Sequence, residues 1–520
     1  MERTIYPIGI QTFSEIRTKG MKYVDKTGYV YQLVNSFKYV FLNRPRRFGK
    51  SLLASTLKSY FEADRELFRG LAIDSLETEW THHPVLYFDM STAKHMNTEG
   101  LLSELNRKLL GYERIYGRKE GDDAPNQRLQ GLIESAHAQT GQQAVVIIDE
   151  YDAPLLDVVH EAENLEKLRQ TMRNFYSPLK ACDPHLRFVF ITGITKFSQL
   201  SIFSELNNLK NISMLPQYSG ICGITREELF TQFTAEVGAM AEANGTTTDE
   251  MFEKLRIHYD GYHFCKKSED VFNPFSIVNA LSDRDLKAYW FESGTPTFLI
   301  KMLQHFRTDI TALDGTTASE QSFDAPTEKM RNALPLLYQS GYLTIKGYDP
   351  TTEMYTLGIP NQEVRTGVYG ALVPYYMGDE NELETFSMVS RLFVALRADH
   401  MDEVLEELKV FFAAIPHDLE NKTEKHYQTI FYIIFTLLGK FIQTEVKSAI
   451  GRADAVLKTA THIYVIEMKL DRTADEALAQ IDAKGYLIPY TLDGRKLVKV
   501  GISFDTATRT LGDWKIVEEE

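Results

Sequence analysis

The sequence contains few cysteines, no long apolar run and no excess of basic residues, and each absence excludes a class of protein. The three cysteines in 520 residues are far apart, and such a set forms neither a disulfide framework nor a zinc cluster. The longest apolar run, residues 430–438, is too short to cross a bilayer. No basic segment followed by an apolar one opens the chain, so we expect a soluble, cytoplasmic protein without a membrane partner.

Basic residues are outnumbered, with 57 Lys and Arg against 72 Asp and Glu and a formal net charge of -15. A chain with this balance repels phosphate backbones as a whole and needs local basic patches to hold nucleic acid. Residues 420–520 carry 14 basic and 15 acidic side chains. The acidic excess therefore lies upstream, and the C-terminal segment is nearly neutral.

Short β-branched or aromatic runs alternate with longer helical stretches between about residues 38 and 197. The runs cover residues 39–42, 85–89, 144–149 and 187–192. This alternation is typical of βαβ units and predicts a parallel sheet. No repeat or low-complexity tract marks the domain boundaries, which must be inferred from such changes of pattern.

The pattern becomes mainly helical from about residue 226 to 360, where Thr225 and Glu228 have the spacing of a capping box. We expect a helical lid or a winged-helix subdomain there. A further helical run over residues 401–412 leads to Pro416, which should end it. The last hundred residues show two strand-like runs and an Ala-rich helix, a fresh α/β pattern. The predicted domains are residues 1–225, 226–370 and 371–520, with the last boundary between 370 and 420.

The run RPRRFGKS at residues 44–51 follows the first predicted strand and opens a helix predicted over residues 52–61, the context that a Walker A loop needs. Backbone N–H groups at the helix start would cradle phosphate oxygens, Lys50 would reach the β and γ phosphates, and the Ser51 hydroxyl would bind Mg²⁺. Arg44 departs from the consensus, which has a glycine there, so a plain helix start is an alternative. The predicted phosphate-binding residues are Arg46, Arg47, Phe48, Gly49 and Lys50.

The strand predicted over residues 144–149 ends in two adjacent carboxylates, as in a Walker B segment. Asp149 would hold Mg²⁺, and Glu150 would orient and activate the attacking water. The alternative is a strand that runs into a polar turn. At the end of a third strand, Thr192 or Thr195 is predicted to contact the γ phosphate. Arg46, Arg47 or Lys196 could stabilise the charge of the transition state, but each could equally be a surface cation or form a structural ion pair. No arginine finger is therefore assigned from the sequence.

Residues 451–457 and 462–469 predict a β-hairpin. Because side chains alternate along a strand, Glu467 and Lys469 share one face, with Asp454 on the neighbouring strand. The two carboxylates could hold Mg²⁺, which activates water, while the lysine assists the nucleophile or the charged intermediate. The alternative is a solvated cross-strand ion pair. A helix that begins after Glu424 precedes the hairpin, and a helix that carries Gln480 follows it.

At these residues the chain resembles a bacterial family of AAA-ATPase-like proteins that carry a C-terminal PD-(D/E)XK nuclease-like domain. The likeness covers nearly the whole chain, and RPRRFGKS is similar to that family's usual form of the loop. The resemblance implies a P-loop NTPase with an AAA-like parallel sheet, a helical or winged-helix subdomain and a C-terminal α/β nuclease-like domain. The supporting segments are YVDKT at 23–27, RPRRFGKS at 44–51, IDEYD at 148–152, NNL at 207–209, YDGY at 259–262, NPFS at 273–276 and GRAD at 451–454.

The resemblance also implies site residues and ligands. It assigns Asp454, Glu467 and Lys469 to the nuclease site, with Glu424 and Gln480 contributed by helices, and it implies ATP and Mg²⁺ as cofactors. Asp454 and Glu467 would be the metal ligands. Nucleic acid is the implied substrate, and DNA is favoured over RNA.

Two functions stay open at this point. The first is an ATP-hydrolysing protein coupled to a Mg²⁺-dependent nuclease. The second is a nucleotide-dependent switch or scaffold whose inactive nuclease-like domain binds nucleic acid or protein. A homo-oligomer is compatible with both. Asp25, Lys26 and Thr27 would either close over the nucleotide or form an ion pair and a helix cap.

Overall fold

A computed structural model describes residues 4–93, 97–156, 158–159, 161–196, 208–292, 297–326, 330–377, 382–414, 424–439, 443–446 and 453–519. The chain divides into two compact units. Unit 1 comprises Met1–Trp290 and Gly315–Asn361, and unit 2 comprises Phe291–Asp314 and Gln362–Glu520. The domain limits at residues 225 and 370 stay predictions. Of the residues named from the sequence, Phe197, Asn207, Pro416, Gly451 and Arg452 lie outside the described ranges.

The strands are β1 Tyr39–Asn43, β2 Val85–Asp89, β3 Ala144–Asp149, β4 Leu186–Gly193, β5 Lys210–Asn211, β6 Ile224–Thr225, β7 Val271–Phe272, β8 Thr316–Ala318, β9 Thr344–Asp349, β10 Met354–Gly358, β11 Gln443–Val446, β12 Ala455–Lys458, β13 His462–Leu470, β14 Lys496–Asp505 and β15 Thr510–Glu518. The helices are α1 Phe13–Thr18, α2 Thr27–Ser36, α3 Lys50–Phe61, α4 Arg65–Phe68, α5 Ala72–Leu76, α6 Thr98–Tyr116, α7 Pro125–Thr140, α8 Ala153–Leu156, α9 Ala162–Tyr176, α10 Pro178–Ala181, α11 Arg226–Gln232, α12 Thr234–Ala243, α13 Thr248–Tyr259, α14 Pro274–Asp283, α15 Tyr289–Glu292, α16 Thr297–His305, α17 Glu320–Phe323, α18 Leu334–Gln339, α19 Gln362–Met377, α20 Glu382–Arg397, α21 Met401–Ala414, α22 Glu424–Leu438 and α23 Ala474–Lys484.

The main sheet of unit 1 has the order β2-β3-β4-β1-β5, and every pairing in it is parallel. This confirms the predicted parallel sheet. All six residues of β3 are buried, as expected for a parallel strand that is covered on both faces. Because parallel strands end at one edge, the ends of β1, β3 and β4 lie side by side there.

Beyond the parallel sheet, unit 1 contains helices α11 to α14, α17 and α18, the start of α15, a two-stranded sheet, β6-β7, and a three-stranded antiparallel sheet, β8-β10-β9. The helical character predicted from residue 226 onwards is confirmed. The three-stranded sheet was not predicted from the sequence. The predicted capping box is present, since the Thr225 side chain accepts a hydrogen bond from the Glu228 N–H. A mixed helical and antiparallel region therefore follows the parallel sheet.

Unit 2 contains a five-stranded sheet with the order β11-β12-β13-β14-β15. The predicted hairpin is present, because β12 and β13 pair in an antiparallel manner. The sheet is mixed, since β13 and β14 run parallel. The parallel pairing needs a crossover, and α23 supplies it.

Helix α22 contains the longest apolar run of the sequence. Its side chains from Ile430 to Phe435 are all buried within unit 2. Helices in the described ranges all lack the combination of length and apolar character that crossing a membrane requires. The apolar run of α22 thus belongs to a protein core.

Candidate active sites

The loop between β1 and α3 begins with a buried arginine. Arg44 is 1% exposed, and its guanidinium donates to the carbonyl oxygens of Asn43, Ser213 and Tyr218 at 3.0, 2.7 and 3.3 Å. The guanidinium also lies 4.0 Å from the ring centre of Phe264. A glycine could make none of these contacts, so a structural role explains why the loop departs from the consensus at Arg44.

Two residues of the loop adopt a left-handed backbone, Arg47 with φ 66° and Gly49 with φ 89°. Gly49 directly precedes α3. Its left-handed conformation, which glycine adopts without steric cost, lets the chain turn from the loop into the first turn of the helix. Between them, the Phe48 ring is buried against Tyr262 and Phe264, with ring centres 4.7 and 5.6 Å apart. The Phe48 side chain therefore packs the loop, and only its backbone remains for the predicted phosphate contact.

Two segments without an evident chemical purpose in the sequence pack against this loop. The YDGY segment supplies Tyr262, which contacts Phe48. In the NPFS segment, the Asn273 side chain caps α14 by accepting from the Phe275 N–H at 2.9 Å. The Phe275 ring lies 4.8 Å from the guanidinium of Arg47. Both segments therefore support the conformation of the loop.

Lys50 is the first residue of α3 and is buried. Its ammonium donates to two carbonyl oxygens of the loop, each at 3.0 Å. Burial lowers the pKa of Lys50, whereas the carboxylates of Glu150, Asp149 and Asp152 raise it. The lysine and the carboxylates at and just beyond the end of β3 therefore form one electrostatic group.

Asp149 is buried at the end of β3. Burial raises its pKa to about 6, while a hydrogen bond from Ser51 and the charge of Lys50 oppose this rise. The Tyr87 hydroxyl donates to Asp149 Oδ2 at 3.1 Å. Ser51 and Asp149, the two predicted Mg²⁺ ligands of unit 1, are thus neighbours, and their oxygen donors suit a hard cation.

The turn after β3 is strained and anchored. Glu150 has φ 51°, a conformation that costs free energy for a residue with a side chain. Asp152 holds the turn, because its buried carboxylate accepts from the Ile194 N–H at 3.0 Å and from the Thr195 N–H and hydroxyl at 2.6 and 2.7 Å. Gly193 is required here, since a Cβ would lie 2.5 Å from Asp152 Oδ1.

Of the two threonines proposed as γ-phosphate contacts, Thr195 is engaged by Asp152. Thr192 is buried at the end of β4. Its hydroxyl has no hydrogen-bond partner within the described part of the chain, and a buried hydroxyl of this kind calls for an explanation such as a ligand. Thr192 therefore stays the predicted contact. Asp152 was missed, although it closes the IDEYD segment.

Two lysines for which the sequence left a structural and a functional role open, Lys196 and Lys26, form ion pairs. Lys196 Nζ lies 2.5 Å from Asp324 Oδ2, and Lys26 Nζ lies 2.5 Å from Glu228 Oε1. The Asp25 carboxylate accepts from the backbone N–H of the first residue of α2 at 2.8 Å. In the structure, Lys196 and Lys26 therefore form ion pairs, and Asp25 binds the start of α2. These are the structural roles that the sequence left open beside a role at the nucleotide.

In unit 2, β13 carries Glu467 and Lys469 on one face, as predicted. Lys469 Nζ lies 2.8 Å from Glu467 Oε1 and donates to Gln480 Oε1 at 2.6 Å. Gln480 Nε2 also donates to Glu467 Oε1 and to the Tyr486 hydroxyl at 3.3 Å. The helix residue Gln480 therefore joins the predicted pair, while Tyr486 was missed.

Asp454 was predicted within a strand, but it lies in the bend directly before β12. It still reaches β13, where its Oδ2 accepts from the Met468 N–H at 2.8 Å. Burial, and after it the charge of Glu467, raises the pKa of Asp454 to about 7. The two acids are therefore close enough to repel each other.

Glu467 is 2% exposed, and its Oε2 atom has no hydrogen-bond partner among the described residues. A buried carboxylate oxygen of this kind beside a second acid fits a divalent cation, which would neutralise both. Glu424 lies in α22, but its side chain is outside the described part of the structure. Across the described residues of both units, no three His, Cys, Asp or Glu side chains converge as a complete metal site.

Helix α23 can bring Gln480 to Glu467 because a glycine faces it. Gly501 pairs with Glu467 in the sheet, and a Cβ on Gly501 would lie 2.4 Å from the Ala474 carbonyl and 2.8 Å from Leu478 Cγ. Glycine therefore permits the close approach of helix and strand. A capping box at the start of the helix fixes where it begins.

Comparisons with known proteins find two matched regions in the chain. Residues 7–203 match the family described as "Predicted AAA-ATPase", and residues 422–514 match the PD-(D/E)XK nuclease superfamily. A curated protein of Azotobacter chroococcum mcd 1, "Uncharacterized protein in vnfD 5'region", is 34% identical over 525 residues, which cover 98% of each chain. The chain belongs to this family of AAA-ATPase-like proteins with a PD-(D/E)XK nuclease domain.

The two matches divide the candidate residues of this AAA-ATPase-like protein. The loop, the carboxylates at and after the end of β3, and Thr192 lie within the ATPase match. Asp454, Glu467, Lys469 and Gln480 lie within the nuclease match. The supporting segments YDGY and NPFS lie outside both matches, so the ATPase loop is supported by residues beyond its own matched region.

Proposed function

We propose that this protein binds and hydrolyses ATP in unit 1 and that this activity controls Mg²⁺-dependent cleavage of nucleic acid, DNA before RNA, by unit 2. One observation carries the proposal: in each unit a lysine and a pair of acids lie together at a sheet, and burial raises the pKa of one acid of the pair. A cytoplasmic location and the limits 1–225, 226–370 and 371–520 belong to the same proposal.

In unit 1, each residue has a distinct task. The N–H groups of the loop and the Lys50 ammonium bind the phosphates. Ser51 and Asp149 would hold Mg²⁺, which neutralises charge on the transferred phosphoryl group when bound. Glu150 orients the attacking water and accepts its proton. Thr192 donates or accepts a hydrogen bond at the γ phosphate or at that water.

In unit 2, Asp454 and Glu467 would hold Mg²⁺, which acidifies a water molecule when bound. Lys469 stabilises the negative charge that develops on the phosphodiester. Gln480 holds Lys469 and Glu467 in place through hydrogen bonds to both. Glu424 is the proposed accessory acid from α22.

The ATPase half is tested by MgATP binding and turnover. We expect Lys50→Ala to abolish binding, whereas Glu150→Gln should bind ATP but hydrolyse it about 100-fold more slowly. Lys58→Ala is the matched control, because Lys58 lies on the same helix and pairs with Glu62 at its partly exposed end. Equal turnover of the wild type and Lys50→Ala would refute an ATP site at this loop.

The nuclease half is tested with single- and double-stranded DNA and RNA in Mg²⁺ or Mn²⁺, with and without ATP. We expect metal-dependent cleavage by the wild type and none by Asp454→Ala or Glu467→Gln. Asp482→Ala is the control, since Asp482 lies on α23 but pairs with Lys499 instead of the site. Absence of cleavage by the wild type in every condition would overturn this half.

A nucleotide-dependent switch or scaffold with an inactive nuclease-like domain is the second candidate. It is favoured by the finding that only two acids converge in the described part of unit 2. This function predicts binding of nucleic acid or protein without cleavage. It also predicts a change of oligomeric state with ATP that Lys50→Ala loses, which light scattering measures.

A further inference from the structure

Side chains hold three consecutive carbonyl oxygens of the phosphate-binding loop. Lys50 Nζ donates to the carbonyls of Arg44 and Pro45, each at 3.0 Å. The next carbonyl, that of Arg46, accepts from the indole N–H of Trp290 at 3.1 Å. The first two bonds depend on the ammonium that is proposed to bind phosphate. The third is independent of it.

Trp290 is buried in α15 and packs on Tyr342, with ring centres 5.3 Å apart. Tyr342 directly follows Gly341, where a Cβ would lie only 2.7 Å from Pro45 Cβ. Residues from two distant parts of unit 1 therefore enclose the loop at Pro45 and Arg46. The indole is held by this packing and can in turn hold the loop.

The geometry of the peptide group gives the Trp290 bond a consequence for Arg47. A peptide unit is planar and trans, so the carbonyl of Arg46 and the N–H of Arg47 point in opposite directions. The indole thereby fixes the direction of the Arg47 N–H, which is one of the predicted phosphate donors. Arg47 also has a left-handed φ of 66°, which needs support from its surroundings.

We propose that Trp290 is a positioning residue of the ATP site, whose indole N–H holds the peptide between Arg46 and Arg47 so that the Arg47 N–H serves the phosphates of the nucleotide. The inference rests on the proposed ATP binding by unit 1. It assigns a role in phosphate recognition to a residue far outside the Walker-type segments. In this role Trp290 acts through the peptide and needs no contact of its own with the phosphates.

The test compares Trp290→Phe with Trp80→Phe. The first variant keeps an aromatic ring but loses the N–H donor to the loop. Trp80 is the matched control, because its ring packs on Tyr60 and Phe68 and its indole nitrogen has no hydrogen-bond partner among the residues that the structure describes. We expect Trp290→Phe to raise the Kd and KM for MgATP about tenfold, the effect of one lost hydrogen bond, with kcat within twofold and the variant fully folded at the assay temperature.

Trp80→Phe should leave Kd, KM and kcat unchanged. Wild-type affinity in Trp290→Phe would overturn the inference, and so would a loss of affinity that merely follows a fall in Tm. If the wild type itself binds no MgATP, the proposed function fails first, and the two failures are thereby distinguished.

A second measurement uses the natural fluorescence of the residue. The chain has three tryptophans, Trp80, Trp290 and Trp514, so the variant Trp80→Phe/Trp514→Phe retains only Trp290. We expect added MgATP to change the fluorescence emission of Trp290, because the phosphate charges enter beside the peptide that the indole holds. The midpoint of this change should coincide with the Kd for MgATP. The change should vanish when Lys50→Ala is added. An unresponsive emission in a variant that binds MgATP would refute the inference even if Trp290→Phe does not fold.

Discussion

Replacing Arg44 by glycine restores the residue that a Walker A consensus has at this position, yet we expect the variant to be less stable than the wild type. The Arg44 guanidinium donates three hydrogen bonds to carbonyls and stacks on Phe264. Two of the carbonyls belong to Ser213 and Tyr218, far along the chain. Arg44 therefore ties the loop to a segment that follows β5.

The magnitude follows from these contacts. Hydrogen bonds from a charged donor contribute about 1.5–3 kcal/mol each, and a desolvated guanidinium on an aromatic ring about 2 kcal/mol. Burying the Arg44 charge also costs free energy, as the lowered pKa of Arg44 indicates. The glycine variant no longer carries this cost, which offsets much of the stabilisation that the hydrogen bonds and the ring contact provide. We therefore expect a net loss of about 3 kcal/mol in the free energy of unfolding of unit 1, roughly a 100-fold change in the folding equilibrium.

The assay is urea unfolding followed by tryptophan fluorescence in a Trp514→Phe background, where the remaining tryptophans report on unit 1. Arg47→Gly is the matched control. It makes the same substitution in the same loop, but Arg47 is exposed with a left-handed φ of 66°, which glycine adopts freely. We expect the control to change stability by less than about 1 kcal/mol. If Arg44→Gly is as stable as Arg47→Gly, the structural role of Arg44 is refuted.

Two further predictions concern unit 2. Because the folded-state pKa of Asp454 is raised from 3.8 to about 7, its contribution to stability is present below pH 4 and is lost as the pH rises through 7. Asp454→Asn should therefore stabilise the metal-free protein by about 4 kcal/mol at pH 8 and progressively less toward pH 5. Thermal unfolding across this pH range measures the difference in stability, and a pH-independent difference contradicts the prediction. Gly501→Ala should cost about 2 kcal/mol and slow cleavage about tenfold, because its Cβ would push α23 and Gln480 away from the sheet. Gly512→Ala, whose Cβ would meet Ser503 Oγ at 3.3 Å, is the control, and equal behaviour of the two variants in unfolding and cleavage would argue against this packing.

Local patterns in the sequence predicted much of the fold. The apolar run over residues 144–149 indicated β3 to the residue, and the spacing of Thr225 and Glu228 predicted a helix start. Alternation along β13 correctly put Glu467 and Lys469 together. Such features are determined by neighbouring residues, because backbone hydrogen bonding and the period of burial are local properties.

The tertiary structure alone decided how distant residues meet. The sequence predicted parallel strands but could not supply the order in which β4 lies between β1 and β3. It placed Asp454 in a strand, whereas the acid lies in the bend before β12. The contacts of Arg44 with Ser213 and of Trp290 with Arg46 join residues at least 169 positions apart. No local pattern encodes such contacts, because they arise only when separately formed elements pack and their buried polar groups find partners.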